Sequence, residues 1–148
     1  MPLKGVPKSI SPELLFAIAK MGHGDQLVLA DANFPSDSVA QHCTITTPIR
    51  VLGNSDEILR DLLQLFPLDQ YTSYSALMMD RVDSDKARDL VVEAYCTTGE
   101  AVAPHSSLPV ELVERFAFYE RAKKSFVVVQ TSDARLYANI IVSKGVIS

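Results

Sequence analysis

The sequence contains no tryptophan and only two cysteines, Cys43 and Cys96, in 148 residues. Two distant cysteines fit no zinc-ligand spacing. They leave a disulfide open, but reduced structural thiols are the simpler reading. No apolar run reaches the ~18 residues of a membrane-spanning helix, and the N-terminus lacks the apolar segment of a secretory leader. A cytoplasmic protein with no membrane partner is therefore expected. Positive charge is also scarce: 14 Lys and Arg face 18 Asp and Glu, for a net charge of −4. Nucleic-acid binders show a basic face, so that class is disfavoured. The one dense basic run, residues 121–124, follows Glu120 and reads as the solvated end of a helix.

Several chemical signatures are missing as well. There is no glycine-rich phosphate loop, no H-E-x-x-H pair and no G-x-S-x-G elbow. The three histidines, His23, His42 and His105, are scattered. No metal site and no cofactor is expected. What remains is an ordinary globular composition, 47% hydrophobic, enough for a substantial core in one domain spanning residues 1–148.

The apolar spacing predicts a helix over 11–21, capped by Ser11, with Pro12 in its first turn, Leu14, Leu15, Ile18 and Met21 on one face, and Gly22 as its left-handed stop. Residues 27–30 form a short continuous apolar run, which suits a strand covered on both faces. A second helix is expected over 56–66, capped by Ser55, and a second strand over 76–79. A third helix is expected over 84–96, with Ala87, Leu90, Val91, Ala94 and Tyr95 on one side and Gly99 beyond its end. Residues 100–109 read as a loop. A helix over 114–124 is followed by strands over 126–129 and 137–142. This alternation predicts an α/β fold: a single layered domain with a mostly parallel central sheet flanked by helices and a possible antiparallel pair at its end.

Three clusters carry candidate chemistry. His23 stands between two glycines, which leave the imidazole uncrowded and let a ligand approach. Histidine exchanges protons near neutral pH, its ordinary pKa being about 6.5; alone, however, such a residue reads as a surface turn. Asp31 closes the first strand, where ligands bind in open α/β sheets. It also suits a cap for the turn that follows. Arg115 and Tyr119 lie four apart on one helix face, with Phe116 and Phe118 expected in the core. Tyr137 and Asn139, if on a strand, point to the same side and make a polyol-binding surface chemically reasonable.

Together the stretches Met21-Gly22-His23-Gly24-Asp25, Leu29-Ala30-Asp31-Ala32-Asn33-Phe34-Pro35 and Arg115-Phe116-Ala117-Phe118-Tyr119-Glu120-Arg121 resemble the fucose mutarotase and ribose pyranase family. Lys4-Gly5-Val6-Pro7, Pro67-Leu68-Asp69 and the segment from Tyr137 to Gly145 extend the resemblance to nearly the full chain. It is nearest the fucose branch and its animal members. The resemblance implies an isomerase that interconverts the α and β anomers of a free monosaccharide, L-fucose first, without cofactor or metal. It implies His23 as proton donor, with Asp31, Asp69, Met79, Tyr119, Tyr137 and Asn139 as sugar-binding residues. It also implies a homo-oligomer whose sites are completed by a neighbouring subunit. Pyranose–furanose interconversion of ribose, or sugar binding without catalysis, are the alternatives. Two departures stand out: Ala138 replaces a glycine, and Ile49-Arg50-Val51-Leu52-Gly53 lacks the family's acidic residue.

Overall fold

The computed structural model describes the backbone of residues 3–87 and 92–148, and the side chains of these residues except 87 and 92–95. Strands β1 (Gln26–Ala30), β2 (Ile49–Arg50), β3 (Ala76–Met79), β4 (Val110–Val113), β5 (Val127–Gln130) and β6 (Ile140–Ser143) form one sheet in the order β2-β5-β1-β6-β3-β4. The pairs β1–β5, β2–β5 and β3–β4 are parallel, and β6 runs antiparallel to both its neighbours, β1 and β3. The antiparallel strand is the last in the chain, but it lies inside the sheet and pairs with β1 and β3 rather than with β5.

Side chains alternate across a strand, so each apolar run feeds two cores. Leu27 and Leu29 join Val127, Val129 and Met78 on one face, under helices α1 (Pro12–Lys20), α3 (Ser55–Leu62) and α5 (Val92–Val102). Val28 and Ala30 join Val128, Leu77 and Met79 on the other, under α2 (Ser36–Ala40) and α6 (Arg115–Lys123). This is why residues 27–30 read as continuously apolar: helices cover both faces.

Helix α1 starts as its sequence predicts, the Ser11 hydroxyl accepting the Leu14 N–H at 3.1 Å. Its end differs. Met21 leaves in an extended conformation, the Gly22 N–H goes to the Asp25 carboxylate at 2.7 Å, and Gly24 takes the positive φ, 84°. Helix α3 begins one residue early, at Ser55, because the N–H of Ser55 is held by the Asp133 carboxylate and its hydroxyl by Thr131. Past Leu62, tighter turns carry the chain to Phe66.

The 84–96 helix appears as α4 (Asp83–Ala87) and α5; of its expected apolar side, Ala87, Leu90, Val91, Ala94 and Tyr95 have side chains outside the described residues. Gly99 does not end α5. It lies inside it, and the helix runs on to Val102 and a 3₁₀ turn, Ala103–His105. A glycine in a helix costs only about 1 kcal/mol, and the buried Thr98, Ala101 and Val102 outweigh it. Strand β4, unforeseen in the sequence, is a half-exposed edge strand of four residues with too little alternation to announce itself. Phe116 is 65% exposed, against the expectation of a core residue, whereas Phe118 is fully buried. Two residues apart on a helix, they lie roughly 200° apart round the axis, so only one can face the sheet. Cys43 is buried, Cys96 is exposed, and both are free thiols.

The last strand starts three residues later than expected. Tyr137 has φ 61°, which breaks the extended run before Ile140. Strand alternation therefore does not bring Tyr137 and Asn139 together. The positive φ falls on Tyr137 and not on Ala138, whose side chain is fully buried. Alanine is thus unstrained where a glycine was expected. Ala138→Gly should lower stability by roughly 0.5–1 kcal/mol through chain entropy without raising activity, as a urea melt and a rate assay would show.

Candidate active site

At the carboxyl end of β1 the chain turns sharply, and Asp31 is 3% exposed. Its carboxylate accepts the Asn33 N–H at 2.9 Å, the Ala138 N–H at 3.2 Å and the Asn139 side-chain amide at 3.1 Å. The carbonyl of that same amide accepts the Asp31 N–H at 2.8 Å. Burial pushes the Asp31 carboxyl above the usual carboxylate range, and the three donors only partly offset it. Asn139 thus spends both ends of its amide on Asp31.

Around Asp31 lies an open cleft of about 240 Å³, to which Met79, Tyr119, Tyr137 and Asn139 all contribute. Met79 closes β3, so strand ends set two of the walls. Tyr119 comes from α6, whose first turn is capped by the Glu114 carboxylate accepting the N–H groups of Phe116 and Ala117, both at 3.0 Å. One turn earlier on α6, Arg115 Nε donates to the Tyr119 hydroxyl at 3.2 Å, and Phe34 packs edge-on against the Tyr119 ring. Tyr137 donates its hydroxyl proton to Asp85 at 2.5 Å and accepts the Val82 N–H at 3.3 Å. Burial and the adjacent Asp85 carboxylate raise its pKa, with the Val82 N–H opposing.

A charged network holds the loop that carries Tyr137. Asp133 is fully buried, and Arg135 donates to it through Nε at 3.0 Å and Nη2 at 2.8 Å, and to Asp56 at 2.6 Å. The Asp133 carbonyl takes the Ala32 N–H at 2.9 Å, tying this loop to the one after Asp31. Leu52, in the loop that departs from the family pattern, is 87% exposed and outside the cleft.

His23 and Asp69 are elsewhere. His23 Nε2 lies 3.1 Å from Asp69 Oδ1, which also accepts the Tyr71 N–H at 3.0 Å. The Tyr71 ring stands edge-on to the imidazole, 5.4 Å between centroids. Burial opposes ionisation of Asp69, but the Tyr71 N–H and the His23 ring outweigh it and hold its carboxyl below the usual range. The Asp69 N–H is bonded to Ser143 and the Gly145 N–H to Pro67. A Cβ on Gly145 would stand 2.4 Å from the Leu68 carbonyl, so glycine is required there. His23 precedes β1 and brings Asp69 to that end of the strand, whereas Asp31 follows it. The five residues of β1 alone span roughly 17 Å, so one chain does not bring His23 and Asp31 onto the same small ligand. The His23 side chain is nearly half exposed, open to whatever lies beyond this end of the sheet.

The structure therefore gathers five of the seven expected residues in one cleft and sets two apart. It adds Arg115 and Asp85 to the cleft. Arg115 was legible only as a helix-face companion of Tyr119. Asp85 sits in an ordinary run of alternating charge, with nothing in the sequence to single it out. Among the described residues, no three His, Cys, Asp or Glu side chains gather as a metal-binding group.

Residues 4–147 match the model of the RbsD / FucU transport protein family. A fucose mutarotase of Danio rerio is 47% identical over 149 aligned positions, spanning 98% of this chain and 94% of its own. The fucose mutarotase of Homo sapiens is 45% identical, over 99% of this chain and 95% of its own. A crystal structure of the fucose mutarotase of Streptococcus pneumoniae, in complex with L-fucose, superposes with a TM-score of 0.84 at 37% identity, covering 99% and 100% of the two chains.

Proposed function

The chain belongs to the RbsD / FucU family, and from that membership we propose that it is a mutarotase interconverting the α and β anomers of L-fucose. The observation that carries this reading is full-length similarity to fucose mutarotases, at nearly half of all positions in the fish protein. The chemistry of the cleft supports it: two carboxylates, two phenols and a guanidinium around a space suited to a small polyol.

Mutarotation needs no electron acceptor. The proton of the anomeric hydroxyl leaves and its electron pair becomes the C=O bond. The bond from the anomeric carbon to the ring oxygen breaks, and that oxygen takes a proton. Rotation and the reverse steps give the other anomer. In this reading His23 exchanges the proton with the sugar, and Asp31, Tyr119, Tyr137 and Met79 bind it. Asn139 acts by holding Asp31. The Asp69 oxygen nearest His23 orients the imidazole, and the carboxylate contributes to the sugar's surroundings there.

Because His23 and Asp31 flank β1, a site using both takes them from two copies of the chain. We therefore read the working form as a homo-oligomer in which the His23–Asp69 end of one copy closes the Asp31 cleft of the next. No helix among the described residues is long and apolar enough to cross a membrane, and the reading requires none.

The test is magnetisation transfer between the two anomeric protons of L-fucose at equilibrium. Protein at catalytic concentration should speed the exchange, and D-ribose should be served more slowly. Folded protein that leaves the L-fucose exchange at its spontaneous rate would remove this reading in favour of sugar binding without catalysis.

A further inference from the structure

Tyr119 and Tyr137 face the same cleft but are wired in opposite senses. A phenol has one proton to give and lone pairs to receive. The Tyr119 oxygen receives the Arg115 Nε–H, so its own proton can be offered to a ligand. The Tyr137 proton is committed to Asp85 at 2.5 Å, so toward a ligand Tyr137 can only accept. We propose that Asp85 is a positioning residue, which fixes the Tyr137 hydroxyl as a hydrogen-bond acceptor for the sugar, opposite to the donor Tyr119. This rests on the reading of the cleft as the sugar site.

Three features of the structure carry the inference. First, Asp85 is presented at a fixed distance from the sheet. It sits on α4 just past the end of β3, where the Asp80 carboxylate binds the Arg81 N–H at 2.9 Å and Lys86 Nζ at 2.8 Å, and the Asp85 and Lys86 N–H groups turn back to the Val82 carbonyl. Second, the same turn grips Tyr137 twice, since the Val82 N–H reaches the phenol oxygen that Asp85 receives from. Third, Tyr137 holds φ 61°, a conformation that persists for a non-glycine residue only when its surroundings dictate it. Asp85 is the anchor at the tip of that side chain, as the Arg135 network is at its root. Among the described residues, Asp85 and Arg115 are charged groups that act on the phenol, and Asp31 lines the same cleft.

The experiment uses four variants of the full chain. Asp85→Ala should raise KM for L-fucose roughly tenfold, the scale of one charge-assisted hydrogen bond, with kcat little changed. Asp85→Asn keeps an acceptor for the phenol and should stay within about threefold of the parent. Tyr137→Phe should match Asp85→Ala, and the double variant should be no worse than Tyr137→Phe alone, because Asp85 acts through that hydroxyl. Asp83→Ala, a fully exposed neighbour on α4, should leave KM unaltered. Multiplying effects of Asp85→Ala and Tyr137→Phe, or an equal rise from Asp83→Ala, would overturn the inference. A second arm is independent of which sugar binds. With tyrosine labelled at ¹³Cζ, the Tyr137 resonance should shift on Asp85→Ala and return on Asp85→Asn; a resonance indifferent to Asp85→Ala would overturn the inference even in an active enzyme. A parent protein that accelerates no exchange would count against the mutarotase reading alone, and this arm would still decide the role of Asp85.

Discussion

Arg135→Ala should lower the unfolding free energy by about 3–5 kcal/mol at neutral pH, the cost of leaving a buried charge without its partner. Asp133 is fully buried, and the guanidinium reaches it through two nitrogens while also holding Asp56. Burial works against the ionised form of both carboxylates, but Arg135, with Arg60 helping at Asp56, more than reverses it and holds both below the usual carboxylate range. The sign of the pH dependence follows. Stability from a lowered carboxylate pKa is present above the unfolded value, about 3.9, and is lost as pH falls through the folded values. The gap between parent and variant in urea melts at fixed protein concentration should therefore be widest near pH 7 and narrow steadily below about pH 4. Arg135→Lys should recover only part, since an ammonium cannot make the forked contact. A gap independent of pH would mean that the side chain acts by packing and not by charge.

His23→Ala and Asp31→Ala should each remove nearly all catalysis while leaving the chain folded. Loss of one positioned acid–base group costs about 10²–10⁴-fold, which sets the expected scale for His23. That side chain is exposed on a glycine-flanked turn, so its removal leaves the core intact. Asp31→Ala removes the acceptor on which Asn33, Ala138 and Asn139 converge, so Asn139 loses its place along with the carboxylate. The two losses arise at opposite ends of β1, and each should appear in the anomer-exchange rate, with circular dichroism reporting an unchanged fold.

Much of this molecule was legible in its residues. Continuous apolar runs at 27–30 and 76–79 marked strands covered on both faces, and the helical spacing of Leu14 and Ile18 marked α1 correctly. The cleft was legible to the extent that its residues sit at strand ends or on one helix face, as Asp31 and Tyr119 do. What was hidden depends on long-range contacts. The central place of β6 follows from pairing with two strands distant in sequence. Gly99 reads as a helix stop until the buried residues around it are known. The turn-like Thr131-Ser132-Asp133 was readable, but the positive φ of Tyr137 beyond it was not, since the partners that hold this loop, Asp85 and Asp56, lie far away in sequence. The separation of His23 from Asp31 was obscured because they are only eight residues apart in the sequence, with a fully extended strand between them.

That separation makes one measurement the most direct. His23→Ala and Asp31→Ala proteins, each inactive, are unfolded together, refolded as a mixture and assayed for α–β exchange of L-fucose, with parent protein taken through the same cycle. If each site draws His23 from one copy and Asp31 from another, random assembly restores an intact site in roughly a quarter of cases, and exchange should return to about that fraction of the refolded parent. A mixture as inactive as its components, beside a fully active refolded parent, would contradict a site built from two copies of the chain.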